Sequence, residues 1–133
     1  MTLPRIRPAT WDRDTGPFFA AAAERRLVYK HCNACGRGNH VPTPSCRFCG
    51  STDTAWREAE GKGTLYTWTT VTHPVHPAYP APYTVVIVTL EAAPDVRLTG
   101  SVPGAPDLAP GQPMEVWFED LGEGCVLPNW RPA

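Results

Sequence analysis

Four cysteines in the spacing C-x2-C-x10-C-x2-C (Cys32, Cys35, Cys46 and Cys49) constrain this 133-residue chain more than any other feature. Gly36 and Gly50 follow the two pairs. Two residues between cysteines let both sulfurs of one tight turn reach a single ion. A glycine after the pair allows positive φ and aims backbone N–H groups at the thiolates. Two such turns supply a closed tetrahedral set of four sulfurs. No position remains for an activated water or a substrate, so the motif predicts a structural metal rather than a catalytic one.

Other uses of the cysteines fit less well. A disulfide framework belongs to secreted chains, and Met1 to Trp11 contains no apolar run before a small-residue cleavage site. The expectation is a cytoplasmic protein with reduced thiols. A redox C-x2-C needs a strand-to-helix setting that neither pair has. Four-thiolate sites host both zinc and iron; the lack of any other redox signature favours zinc. His31 and His40 flank the motif, but four thiolates already complete the set. Cys125 has no base among its sequence neighbours and reads as a small buried hydrophobe.

The sequence divides into three parts: an N-terminal arm and helix at 1–27, a rubredoxin-like zinc ribbon at 28–56, and a β-barrel at 57–133. Met1 to Arg13 is broken by Pro4 and Pro8 and carries Arg5, Arg7 and Arg13. It reads either as a disordered terminus or as an arm ordered against a partner, with Trp11 as a docking residue. Asp14, Thr15 and Pro17 are helix-start types, and Phe18 to Arg26 is Ala-rich without a breaker. Phe18, Phe19, Ala22 and Leu27 form its apolar side. Leu27 to His31 is a short strand into the first knuckle, and His40 to Ser45 supplies a strand and a Pro-marked turn before the second.

From Trp56 onward the pattern is all-β. Strands are expected near 63–73, 83–91, 96–102, 114–120 and 125–130. Thr64 to Thr72 is rich in Thr, aromatic and β-branched residues. Tyr83 to Leu90 is almost continuously apolar, so both of its faces are expected to be covered. Pro103 to Pro113 contains four prolines and leaves no room for a helix. Five short strands in this length fit a Greek-key barrel of the OB type, with an SH3-like barrel as the competitor.

The segment His73 to Pro82 holds four prolines in ten residues and is stiff and extended. His73, His76, Tyr79 and Tyr83 make it a candidate partner-contact loop; a weak H-x2-H metal site and a plain solvent loop are the other readings. Glu115, Glu119, Asp120 and Glu123 read as the solvated side of a strand and turn. No Ser-His-Asp set, phosphate-cradling loop or dinucleotide fingerprint is present, so no catalytic residue is assigned. No apolar stretch approaches the roughly 20 residues needed to span a bilayer. The formal net charge of −1, with basic residues concentrated in the first half, argues against a nucleic-acid-binding role despite the ribbon and barrel.

These residues carry a resemblance. An aromatic helix precedes C-x2-C-G, a Pro-containing turn and a second C-x2-C-G. A Gly61-Lys-Gly-Thr-Leu-Tyr66 strand entry, Ala81-Pro-Tyr-Thr-Val-Val-Ile-Val-Thr-Leu-Glu91, a Pro-Gly-Gln-Pro turn and Leu127-Pro-Asn-Trp-Arg-Pro132 follow. Over about 11–132 the chain resembles the zinc-ribbon/OB-fold, acyl-CoA-associated family called domain of unknown function 35. The resemblance implies zinc at Cys32, Cys35, Cys46 and Cys49 and a non-catalytic accessory role. The partner it implies is a thiolase-like, sterol-carrier-type enzyme acting on acyl-CoA thioesters, foremost a retro-aldolase of steroid side-chain degradation. Alternatives are a hotdog-fold enoyl-CoA hydratase or a thiolase/hydroxymethylglutaryl-CoA synthase complex. It further implies a hetero-oligomer with two copies of each subunit and acyl-CoA as a candidate ligand at the interface. Trp11, Phe18, Phe19, His73, His76, Tyr79 and Tyr83 are the expected partner contacts.

Overall fold

The computed structural model describes residues 5–133; the first four, including Pro4 of the expected arm, lie outside the described residues. One helix, α1 (Gly16–Ala23), precedes eight strands: β1 (Leu27–Cys32), β2 (Gly38–Asn39), β3 (Thr54–Ala59), β4 (Lys62–Val71), β5 (Tyr83–Leu90), β6 (Arg97–Pro103), β7 (Pro113–Gly122) and β8 (Cys125–Pro132). They form two antiparallel sheets, ordered β2-β1-β3 and β6-β5-β4-β7-β8. The first is the ribbon and the second the five-stranded OB barrel, as expected.

The helix is shorter than the Ala-rich run suggests. Its start is held by Asp12, whose carboxylate accepts the Thr15 N–H at 2.9 Å and pairs with the Thr15 hydroxyl. Thr15 occupies the N-cap position but makes no side-chain cap of its own. At the other end Glu24 leaves helical geometry and Arg25 takes φ 61°. The turn frees the chain to enter β1 at Leu27. Ala21 and Ala22 are buried, while Phe18 and Phe19 are half-buried.

Two other details differ from the sequence reading. The short strand between the knuckles is Gly38–Asn39, before His40 rather than from it, because Pro42 and Pro44 break pairing there. The ribbon also contains β3, which pairs along the whole of β1 from Leu27↔Ala59 to Cys32↔Thr54. Its Arg57 and Glu58 point to solvent, so its sequence lacks the apolar run that marked the other strands.

Ribbon and barrel share one core. Leu27 and Tyr29 of β1 join Leu65, Val86, Val88, Leu90, Val96, Leu98, Met114 and Trp130 in a continuous buried cluster. β5 lies between β4 and β6; Thr84, Val86, Val88 and Leu90 are buried, and the alternate residues are half-buried. Both faces are therefore covered. The buried Thr84 hydroxyl donates to Gly104 O at 2.8 Å, so it accepts from Thr70 across the strand pair at 2.9 Å. The barrel closes between β6 and β8 without a ladder. Asn129 Oδ1 accepts the Ser101 N–H at 2.8 Å, and a Cβ on Gly100 would sit 2.7 Å from that oxygen.

The ribbon meets the barrel where β2 crosses the β5–β6 turn. A Cβ on Gly38 would lie 2.6 Å from Val96 Cγ2 and 3.2 Å from Ala93 Cβ. Gly38→Val is expected to wedge the two units apart and cost about 1–3 kcal/mol, the usual range for overpacking. Urea unfolding of the metal-loaded protein measures it.

His40 sits close by, with its ring 5.3 Å from that of Phe18 and its Nδ1 buried without a hydrogen-bond partner. Burial pulls its pKa from 6.5 down to about 4. The unfolded chain thus takes a proton near pH 6.5 that the folded chain resists down to about pH 4. The stability held by neutral His40 is full above that window and is lost as pH falls through it. His40→Leu is expected to reduce the drop in unfolding free energy between pH 7 and pH 5 by on the order of 1–2 kcal/mol, read as the difference between wild-type and variant urea curves.

Candidate metal centre and aromatic surface

The two knuckles have the same backbone. Cys32 N–H donates to Arg37 O at 2.9 Å, and Cys46 N–H donates to Ser51 O at 2.8 Å. Gly36 N–H returns to Cys32 O, and Gly50 N–H to Cys46 O, each at 2.9 Å. Gly36 and Gly50 adopt φ 79° and 78° with open space where a Cβ would be, so backbone conformation alone requires glycine. Their own N–H groups bond carbonyls. The donors aimed at sulfur are instead the Cys35 N–H to Cys32 Sγ at 3.5 Å and the Phe48 N–H to Cys46 Sγ at 3.4 Å.

This geometry brings all four sulfurs within 4.8 Å of one another. Cys32 meets Cys49, and Cys35 meets Cys46, each at 3.6 Å across the knuckles. A zinc–sulfur bond of about 2.3 Å implies tetrahedral edges of about 3.8 Å, so the set matches a four-thiolate ion site. Cys32 and Cys46 are buried, whereas Cys35 and Cys49 face solvent. Among the described residues, this is the group of His, Cys, Asp and Glu side chains able to share one ion. His31 and His40 are not in it, and neither are His73 and His76.

Electrostatics agree. Desolvation raises the Cys46 thiol, but the Asn39 amide and the Cys49 and Phe48 N–H groups outweigh it and bring the pKa down to about 6. The Arg37 N–H favours the Cys35 thiolate, yet desolvation and the neighbouring sulfurs carry that thiol up to about 11. Cys49 is also raised: the Ser51 N–H opposes this, while Cys32 and desolvation drive it. One thiolate forms readily and its neighbours resist following it. A bound dication removes that conflict and would stabilise all four as thiolates.

Asn39 is the residue that the spacing did not reveal. It is buried, its Nδ2 donates to Cys46 Sγ at 3.4 Å, and its Oδ1 accepts the Arg47 N–H at 3.0 Å. One side chain thereby ties β2 to the second knuckle and supports a ligand. Its only sequence signal is a polar residue inside the spacer between the cysteine pairs.

The expected contact residues fall into two groups. His76, Tyr79 and Tyr83 form an aromatic run, with ring centroids 5.8 and 6.3 Å apart. His73 is exposed and takes no part in it. His76 Nδ1 accepts the Ala78 N–H at 3.0 Å, a bond that shapes the loop. Phe18 packs edge-to-face on Phe19 at 5.3 Å and reaches the core, while Trp11 is 85% exposed beside a cleft that Phe19 and Cys125 also line. Cys125 is half-buried. Glu123 is exposed as expected, and the other three carboxylates also pair: Glu115 with Arg131, Glu119 with Arg5, and Asp120 with Arg25.

Known proteins share this arrangement. The rubredoxin-like zinc ribbon domain of ChsH2 matches residues 19–55, and the C-terminal OB-fold domain of ChsH2 matches residues 56–119. A solved chain of the Ltp2-ChsH2(DUF35) aldolase is 38% identical, with a TM-score of 0.81, covering 95% of this chain and 98% of that one. The chain belongs to the ChsH2-like DUF35 family. Another relative, from Thermomonospora curvata, is described as a probable enoyl-CoA hydratase alpha subunit. It is 40% identical over 131 residues, which is 97% of this chain but 40% of that protein. The chain thus spans less than half the length of this curated relative. A DUF35-family protein of unknown function from Sulfolobus solfataricus shares the fold at 12% identity and a TM-score of 0.64, over 89% of this chain and 84% of that one. No helix among the described residues is long and apolar enough to cross a membrane.

Asn39→Ala is expected to weaken metal binding about 10- to 100-fold, the usual effect of losing a group that supports a ligand, while leaving one ion per chain at saturation. Competition against a chromogenic chelator measures the affinity, and elemental analysis the stoichiometry.

Proposed function

We propose that the chain is a non-catalytic accessory subunit of a thiolase-like, sterol-carrier-type enzyme acting on acyl-CoA thioesters. Cys32, Cys35, Cys46 and Cys49 hold a structural zinc ion in it. The observation that carries this reading is the match along nearly the whole chain to the ChsH2 component of the Ltp2-ChsH2(DUF35) aldolase. The geometry supports it in two ways. Four sulfurs converge within 4.8 Å of one another, a set that would close a tetrahedral ion site without leaving a position for substrate or water. The surface is suited to contact: Trp11, Phe48 and Val75 are exposed, and the aromatic run of His76, Tyr79 and Tyr83 is half-buried. In this reading the partner catalyses a retro-aldol carbon–carbon cleavage of a steroid side-chain acyl-CoA, in the cytoplasm, within an assembly of two copies of each subunit.

One observation favours a second reading. The Thermomonospora curvata relative carries a hydratase subunit description, which supports a chain that serves an enoyl-CoA hydratase instead. Both readings make the chain a partner of an acyl-CoA enzyme, and they differ in the reaction served.

Tagged chain expressed in its native host is expected to co-purify with a thiolase-like protein, identified by mass spectrometry. The pair is expected to cleave a β-hydroxyacyl-CoA that neither component turns over well alone. Tyr79→Ala is expected to lower the captured partner several-fold with metal content unchanged. Capture of a hydratase would move the assignment to the second reading. Full activity and solubility of the enzyme without this chain would refute an accessory role.

A further inference from the structure

The N-terminal arm makes contacts that neither the metal centre nor the barrel core needs. Arg5 Nε lies 3.3 Å from Glu119 Oε2, and its guanidinium sits 4.8 Å from the centre of the Tyr79 ring. The Ile6 N–H donates to the Tyr79 hydroxyl at 3.1 Å. Arg7 donates to Gly122 O at 2.9 Å and Leu121 O at 2.6 Å, at the β7–β8 turn. Glu119 in turn accepts the Asn129 amide at 3.3 Å, and Asn129 receives the Ser101 N–H. A polar path therefore runs from Tyr79 through Arg5 and Glu119 to the closure of the barrel.

The loop at the start of this path buries Ala78 but has few hydrogen bonds to hold it. Four of the ten residues from His73 to Pro82 are proline and lack an N–H donor. Among the described residues, two hydrogen bonds link 73–82 to the rest of the chain: the Ile6 N–H donates to the Tyr79 hydroxyl, and at the loop's end the Gly104 N–H donates to Pro82 O at 3.0 Å. The Tyr79 N–H and Ala78 N–H both bond back to His76, so they shape the loop without anchoring it. Arg5 also forms one wall of a pocket of about 270 Å3 between Tyr79–Tyr83 and Ser101–Pro103.

We propose that Arg5–Arg7 is a clasp that sets the position of the Pro-rich loop. Arg7 fixes the arm to the β7–β8 turn, and Arg5 with the Ile6 amide grips Tyr79. Closed, the clasp holds His76 and Tyr79 against Tyr83, which β5 fixes, as one preformed surface with a shaped pocket beside it. Open, the loop is tethered at its two ends and the aromatic run no longer has one geometry. The device is internal to the chain and does not depend on which enzyme the chain serves.

Amide hydrogen exchange on the metal-loaded full chain tests the clasp. Arg5→Ala and Glu119→Gln are each expected to speed exchange at Ile6, Ala78 and Tyr79 about ten-fold, with β5 and β7 amides unchanged. Arg5→Lys keeps the charge but not the planar contact with Tyr79 and is expected to fall between. Arg131→Ala breaks the Glu115 pair elsewhere on the same two strands and is expected to leave the loop unaffected. Unchanged exchange in Arg5→Ala would overturn the proposal. So would an equal rise across the barrel strands, or a loop response to Arg131→Ala, because Arg5 would then act through general stability alone.

Discussion

Four sulfur atoms held within 4.8 Å of one another cannot all carry charge unless a cation lies among them. The rest of the ribbon depends on that constraint. Between Cys32 and Thr54 the backbone forms two matched turns and a two-residue strand, with few buried apolar side chains of its own. Structural zinc contributes on the order of 10 kcal/mol in modules of this kind. That exceeds what so small an apolar core supplies. The two turns fix the end of β1, and β1 then places Leu27 and Tyr29 into the core of the barrel. Asn39 and Gly38, adjacent on β2, link the two halves: one supports Cys46 and the other lets the ribbon lie flat on Ala93 and Val96.

What was legible in the sequence was local. The cysteine pairs and their glycines read correctly because each knuckle is a self-contained turn, whose hydrogen bonds span four or five residues. The barrel strands read correctly because alternation or continuous apolarity marks a buried face. β3 was missed because its register depends on β1 and its outward residues are charged. The helix ended early because Arg25 turns the chain at a position that no residue type announces. Asn39 and Asn129 bond to groups brought near by the tertiary fold, and the Ile6–Tyr79 bond spans 73 residues. Local pattern carries no trace of such contacts. The segment from His73 to Pro82 was legible as a Pro-rich loop, but it is not extended throughout: it turns back at His76–Tyr79 and buries Ala78, and neither that turn nor what holds it was legible.

Among the described residues, the cluster of side chains able to share one ion is the four-cysteine set of the ribbon. The carboxylates of β7 are committed to arginines, and His76 is committed to its own loop. Arginine, proline and apolar side chains, Trp11 and Val75 among them, make up much of the surface of the loop and arm. Such a surface favours shape recognition over bond-making. An accessory subunit of an acyl-CoA enzyme is consistent with this distribution, and with the aldolase component to which the chain is so similar along its length.

The central claim is that the metal centre is a closed structural site. X-ray absorption at the metal edge of the purified, loaded chain tests it most directly. The account predicts a zinc edge and four sulfur scatterers at about 2.3 Å, with no nitrogen or oxygen in the first coordination sphere. A light-atom ligand in place of one sulfur would contradict it, because the site would then hold an open position where chemistry can occur.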